Sequence, residues 1–486
     1  MRLRVAAAVV FVLLVSGCAA PTAVPDADVG ADRELGTIGE FTANDSLEID
    51  ADGELSRADL EALKYRSMAR VEVIRGERFT EDVGFEIITR AEYRERTDRA
   101  AEPADPFTNE LWRGAFVVDG ETDVNEAFDE LYGGAVQGYY SSGTIVIVTD
   151  GEGTRIDRNT LVHELVHALQ DQHDRLEREG TTLDERRAET GLFEGEANYV
   201  PILYGDRCDE EWECLPAHSG ENASGAELEA QPFNPGLFLS VYAPYAEGLA
   251  FVEHRHEAGD WAAVDEAFEE RPRSTAELIH PERYPTEPVA VDVEDRSTAD
   301  WEPFTVDDAG NEVRTETVGE ATLFATLWAN GAVDRPLTEG ARGSSPYNYS
   351  YSATDGWAGD TFVGYHDEDN RSAHVWRLAW ESNDDAEAFA DAYRDVLEYR
   401  NATQVEADTY RIEGGPFAGA YRISVDGDVV ELVGAPTVDD LEEVRPSESA
   451  STIAAVSAST PLAPDERGDA GGTAAAGGAI AAPVDG

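Results

Sequence analysis

The sequence predicts an α+β fold in two successive parts, and three patterns carry that expectation. A strand, turn, strand pattern over 135–149 runs into a helical one, Leu161-Val162-His163-Glu164-Leu165-Val166-His167-Ala168-Leu169. Beyond about Val291 the pattern changes to strands and turns around one helical stretch, as in an antiparallel sheet that carries a helix. With 42% hydrophobic residues and eight tryptophans, the chain has the apolar content to build cores despite a formal net charge of −63. The expected division is an export segment at 1–17, a tether at 18–49, a first domain at 50–290, a second at 291–445 and a disordered Ala/Gly/Pro-rich tail at 446–486.

Taken in order, Arg2 and Arg4 precede an apolar run from Val5 to Val15 that is short for a membrane span, and Val15-Ser16-Gly17-Cys18 resembles a lipobox. Cleavage before Cys18 would leave a lipidated cysteine as the only membrane anchor; the alternative is an ordinary signal peptide cut near Ala19 or Ala20. Ser56 to Val73 reads as a capped amphipathic helix, and Phe85 to Thr97 as a short strand entering another. The hairpin turns at Tyr139-Tyr140-Ser141-Ser142-Gly143, and its second strand is the nearly continuous apolar run Thr144 to Val148. Asp157 or Thr160 can cap the helix that follows. A polar connection, Asp174 to Arg187, leads to a second helix over Glu189 to Tyr199, where small Gly195 and Ala197 would let the two helices approach. Cys208 and Cys214 close a short loop, and outside the cell a disulfide is the natural reading. Farther on, His374 to Glu381 reads as a strand, Asp384 to Tyr399 as a helix, and Thr409 to Gly434 as successive strands with a turn at Gly414 to Pro416. Sequons at Asn44, Asn222, Asn348, Asn370 and Asn401 are compatible with surface glycosylation.

The motif helix carries the chemistry. Residues four apart share one helix face, so His163 and His167 can offer ring nitrogens to a single Zn2+ ion. Glu164 borders that face and fits the general base of H-E-x-x-H hydrolases. A third protein ligand is needed, and His173, Glu194 and Glu196 are candidates; on a helix only one of the two glutamates can face the metal. His173 has the metzincin spacing, but Gln170 stands where that pattern has glycine and no methionine follows the motif.

Glu194-Gly195-Glu196-Ala197 resembles the Asn-Glu-Gly-Phe-Ala string of gluzincin aminopeptidases, and that likeness implies Glu194 as the third ligand. The interval from His167 is longer than in the best-known gluzincins, and Asn198 stands where many of them have an acid that orients a ligand histidine. The string from Leu161 to Gln172 followed by Glu-Gly-x-Ala is similar to an uncharacterised family of haloarchaeal surface lipoproteins with gluzincin-like sites. Further shared strings are Pro244 to Phe251, Ser274 to Tyr284 and Gly356 to Asp360. The resemblance implies a zincin-like metallopeptidase domain, with a sheet packed on the motif helix and a glutamate helix beside it, followed by the smaller antiparallel α+β domain. It also implies that the hairpin's edge strand could hold an extended peptide. Zincin catalysis needs an oxyanion donor across the cleft; His280 is the first choice, with Tyr245 and Tyr199 behind it. His254 and His256, among Glu253, Arg255 and Glu257, read as a solvated face.

Composition sets the environment. Acidic residues number 100 against 37 basic ones, and Lys64 is the only lysine, a balance suited to molar salt, where a Debye length of about 3 Å removes most self-repulsion. No basic patch is present to bind nucleic acid. The expected protein is a zinc-dependent cell-surface peptidase of an extreme halophile, anchored in the cytoplasmic membrane through Cys18, monomeric and acting on peptides or proteins. The alternative is a zincin-fold binding or scaffold protein without turnover. No amine-anchoring Gly-x-Met-x-Asn string is present, which argues against an aminopeptidase.

Overall fold

Capping chemistry opens the first helix: the Ser56 hydroxyl accepts from the Asp59 N–H, Asp59 reaches back to the Ser56 N–H, and Gly76 closes the helix in the left-handed region. The computed structural model describes residues 29, 33–47, 55–97, 102–149, 156–208, 210–215, 228, 230–231, 233–298, 300–306 and 312–447. The expectations for Cys18, Asn222 and residues 448–486 lie outside them. After a small ribbon of β1 (Thr37–Ile38) and β2 (Phe41–Thr42), the chain forms α1 (Arg57–Arg75), β3 (Gly84–Thr89), α2 (Arg90–Thr97), α3 (Pro106–Gly114), α4 (Val124–Ala135), β4 (Gly138–Ser141) and β5 (Thr144–Thr149). Strand β5 is central in a three-stranded sheet, with β3 parallel on one side and β4 antiparallel on the other. The β4–β5 turn places Ser142 and Gly143 at φ of 47° and 79°, the mirror-type turn that suits strand twist.

Three long helices follow: α5 (Arg158–Gln172), α6 (Leu183–Arg207) and α7 (Pro235–Glu269), the last broken at Gly259 and Asp260. Helix α5 packs on β4 and β5, while α6 lies between α5 and α7. The contact expected of Gly195 is made with a different helix. A Cβ there would come within 2.2 Å of the Gly248 carbonyl oxygen, and one on Gly248 within 2.1 Å of the Gly191 carbonyl oxygen, so these glycines let α6 and α7 touch backbone to backbone. Helix α6 also begins earlier than expected, because Thr182 and Glu185 form a capping box.

A short α8 (Thr275–Ile279) leads to β6 (Trp301–Pro303), β7 (Thr315–Glu316) and α9 (Glu320–Ala329). The chain then lays down β8 (Trp357–Asp367), β9 (Ser372–Trp380), α10 (Asn383–Tyr399), β10 (Thr403–Glu406), β11 (Thr409–Ile412), β12 (Gly419–Asp426), β13 (Val429–Ala435) and α11 (Val438–Val444). These strands form one antiparallel sheet in the order β10-β11-β12-β13-β9-β8-β6, with β7 also on β8. The α+β class holds, but the expected boundary at 290/291 is not a boundary in packing. One core joins Leu111, Leu131 and Leu237 to Trp376, Phe389 and Leu432, and the described residues through Arg445 form one compact unit. Among the described residues no helix is long and apolar enough to cross a membrane.

Candidate metal centre

Asp157 caps α5 by accepting from the Thr160 N–H at 3.0 Å, which starts the helix in the phase that turns His163, Glu164 and His167 inward. All three are buried, as is Glu194 opposite them on α6. Nε2 of His163 and Nε2 of His167 lie 3.0 Å apart, and the Glu194 Oε2 is 3.3 and 3.5 Å from them. Zinc bonds of about 2.0–2.2 Å in a tetrahedral site put neighbouring donor atoms about 3.3–3.5 Å from one another, so the two separations from Glu194 fit such a site and the two imidazoles stand a few tenths of an ångström closer together than in one. Glu194 Oε2, both oxygens of Glu164 and Nδ1 of His163 are buried without a hydrogen-bond partner. Donor atoms left in this way inside a protein call for a ligand.

The ring of His167 is set by the protein. Its Nδ1 lies 2.8 Å from the Gln170 Oε1, an acceptor, which in the neutral ring assigns the proton to Nδ1 and the lone pair to Nε2, on the Glu194 side. The Gln170 amide nitrogen donates to the Phe193 carbonyl at 2.9 Å and to the Glu196 Oε2 at 2.8 Å, and Glu196 is ion-paired with Arg75. A buried chain thus runs from α1 through α6 to the imidazole. Charges follow the geometry. Burial pushes the Glu194 carboxyl up, but the imidazoles pull it further down, to about 2. Burial lowers His167 and Glu194 more than offsets this, bringing it to about 9. His163 is lowered, chiefly by burial. Burial pushes Glu164 up to about 8, with His167 opposing the rise and Glu194 adding to it.

The structure brings together His163, Glu164, His167 and Glu194. Glu196 turns the other way, toward Arg75, and His173 caps the end of α5, where its Nε2 meets the Arg78 carbonyl at 3.0 Å. Asn198 donates to the Glu194 carbonyl at 2.8 Å and favours the protonated form of His163. Gln170 supplies the bond that orients the other ligand histidine, His167. Sequence reasoning passed over that residue, although it stands three positions after His167 on the same helix face. His280 is not drawn to this centre: its Nε2 is held by Glu320 at 3.0 Å. Its place beside the centre is taken by Tyr245 of α7, whose buried hydroxyl hydrogen-bonds Glu194. Tyr199 reaches His256 instead, at 3.3 Å, so His256 is half-buried against it while His254 is exposed. Cys208 and Cys214 form a disulfide with Cα atoms 5.7 Å apart. A cleft of about 300 Å³, lined in part by Gln137, Arg158, His163 and Asn198, opens onto the His163 side.

A family model described as a domain of unknown function (DUF8575) matches residues 304–445. That stretch holds α9 to α11 and most of the large sheet and contains none of the four clustered residues. No curated protein and no solved structure matches the chain.

Proposed function

We propose that the protein is a zinc-dependent hydrolase with a zincin-like, gluzincin-type site, acting on peptides or proteins at the surface of an extreme halophile. The observation that carries this reading is the convergence of three ligand atoms within 3.0–3.5 Å of one another beside an unpartnered, buried Glu164. His163, His167 and Glu194 would hold the ion, which supplies Lewis acidity toward a water and a scissile carbonyl.

The chain's own groups do the rest. Glu164 accepts a proton from the attacking water and returns it to the leaving amine. Gln170 holds the tautomer of His167. The Tyr245 hydroxyl donates toward charge that develops beside Glu194. Strand β4, at the edge of its sheet and packed on α5, leaves backbone groups for an extended peptide to pair with. Cys18 supplies the lipid anchor, and the acidic surface suits molar salt. The test is digestion of a peptide library by the zinc-loaded full chain in molar salt beside Glu164→Gln. Cleavage by the wild type alone is expected. No cleavage by a wild type that holds zinc would leave a surface binding protein.

A further inference from the structure

A second group of metal-ligand side chains lies away from the motif helix. His280 ends α8, Glu320 is the first residue of α9, and Asp355 belongs to the loop before β8. The His280 Nε2 is 3.0 Å from the Glu320 Oε1 and 3.7 Å from the Asp355 Oδ1, and one ligand atom from each residue lies within 4.8 Å of the others. We propose that His280, Glu320 and Asp355 form a second site, for a divalent transition-metal ion, distinct from the centre on α5 and α6.

A simple His280–Glu320 ion pair does not account for the group. Glu320 is fully buried, and its Oε2 has no hydrogen-bond partner, so one carboxylate oxygen remains unsatisfied after the histidine is bonded. Glu247 of α7, 3% exposed, adds a second buried carboxyl whose charge acts on both His280 and Glu320, and its Oε1 is taken by the Tyr349 N–H at 2.8 Å. Arg283 acts on His280 and Glu320, and Arg342 on Glu247, so it is the unpartnered Glu320 oxygen facing His280 and Asp355, and not charge balance, that calls for an ion here. An imidazole among carboxylates suits zinc, manganese, iron, cobalt or nickel over calcium and magnesium, which favour oxygen throughout. The Asp355 side chain, 38% exposed, gives the ion a way in from solvent. Bound there, the ion would tie the end of α8, the start of α9 and the loop before β8 to one point. Asp355 also takes the Ser350 hydroxyl at 2.9 Å, which fixes its carboxylate for that role.

The experiment is metal content by elemental analysis after loading the chelator-treated full chain with Zn2+, and separately Co2+ titration followed by visible absorption, both in molar salt. Wild type is compared with His280→Ala, Glu320→Gln and Asp355→Asn, and with Glu194→Ala. Two equivalents in the wild type are expected, with one lost in each variant of either group. The half-exposed Asp355→Asn keeps the test readable if the buried changes unfold the chain. Metal content unchanged by Asp355→Asn, with its cobalt spectrum that of the wild type, would overturn this inference and leave the first centre standing. Metal lost in the His280 group but unchanged by Glu194→Ala would support it while removing the reading of the first centre.

Discussion

Two of the buried histidine–carboxylate clusters in this molecule are built to opposite ends. In the first, His163, His167, Glu164 and Glu194 lie together without an arginine, and four of their polar atoms are unpartnered. In the second, Glu110 takes two bonds from Arg113, at 2.7 and 2.8 Å, and one from the His374 Nδ1 at 2.7 Å. Burial pushes Glu110 up, yet Arg113 and His374 carry it down to about 2. His374 also has a free Nε2, but a Cβ on Gly434 would lie 2.6 Å from that atom, and Gly114 crowds the same ring. No space remains beside that ring nitrogen for a ligand. Burial of ionisable groups therefore marks neither cluster as functional. Unsatisfied donor atoms aimed at a common point distinguish the first, and a closed set of partners identifies the second as a staple between α3 and β9.

The contrast breaks most sharply at Glu164. Glu164→Gln is expected to lower kcat about 10²–10⁴-fold, the usual worth of a general base, with zinc content and folding kept. Peptide hydrolysis beside metal analysis checks it, and activity within a factor of a few of wild type would remove Glu164 from the chemistry. Glu110→Gln should do the reverse, leaving metal content alone while costing about 3–5 kcal/mol in denaturant unfolding, because Arg113 is left buried without its partner. That cost depends on pH with a definite sign. The folded Glu110 pKa of about 2 lies below its ordinary 4.5, so its contribution is present above about pH 4.5 and fades as pH falls toward 2. The stability gap between wild type and Glu110→Gln should close over that interval in unfolding curves taken at successive pH values.

Smaller effects sharpen the first cluster. Gln170→Ala removes the group that fixes His167, and a loss of about 10–100-fold in zinc affinity is expected from competition with a chelator. Unchanged affinity would mean that the bond to Gln170 does not set the ring. Asp157→Ala deletes the cap of α5 and should cost about 1 kcal/mol of stability, with metal binding retained once the chain is folded.

Local features were the legible ones. The spacing of His163 and His167, the Asp157 cap, the β4–β5 hairpin and the Cys208–Cys214 pair each depend on residues within a few positions of one another. Helix period showed that only one of Glu194 and Glu196 can face the histidines, while the preference for Glu194 came from the gluzincin resemblance. The start of α6 was present in the sequence as Thr182-x-x-Glu185 but hidden in a polar run. What escaped was tertiary. Gly195 serves the α6–α7 crossing because Gly248, 53 positions on, happens to meet it. His280 turns to Glu320, 40 positions away, and no local pattern announces such a partner. The packing across 290/291 is tertiary as well, since one core runs through the point where the composition changes.

The central claim is that Glu194 completes a zinc site with the two motif histidines. The most direct measurement is zinc K-edge X-ray absorption on the loaded full chain carrying Asp355→Asn, which removes the other group from the signal, set beside the same chain with Glu194→Ala added. The account predicts a four-coordinate zinc with two imidazole ligands at about 2.0–2.1 Å in the first protein and loss of that zinc in the second. An unchanged spectrum and zinc content after Glu194→Ala would contradict it.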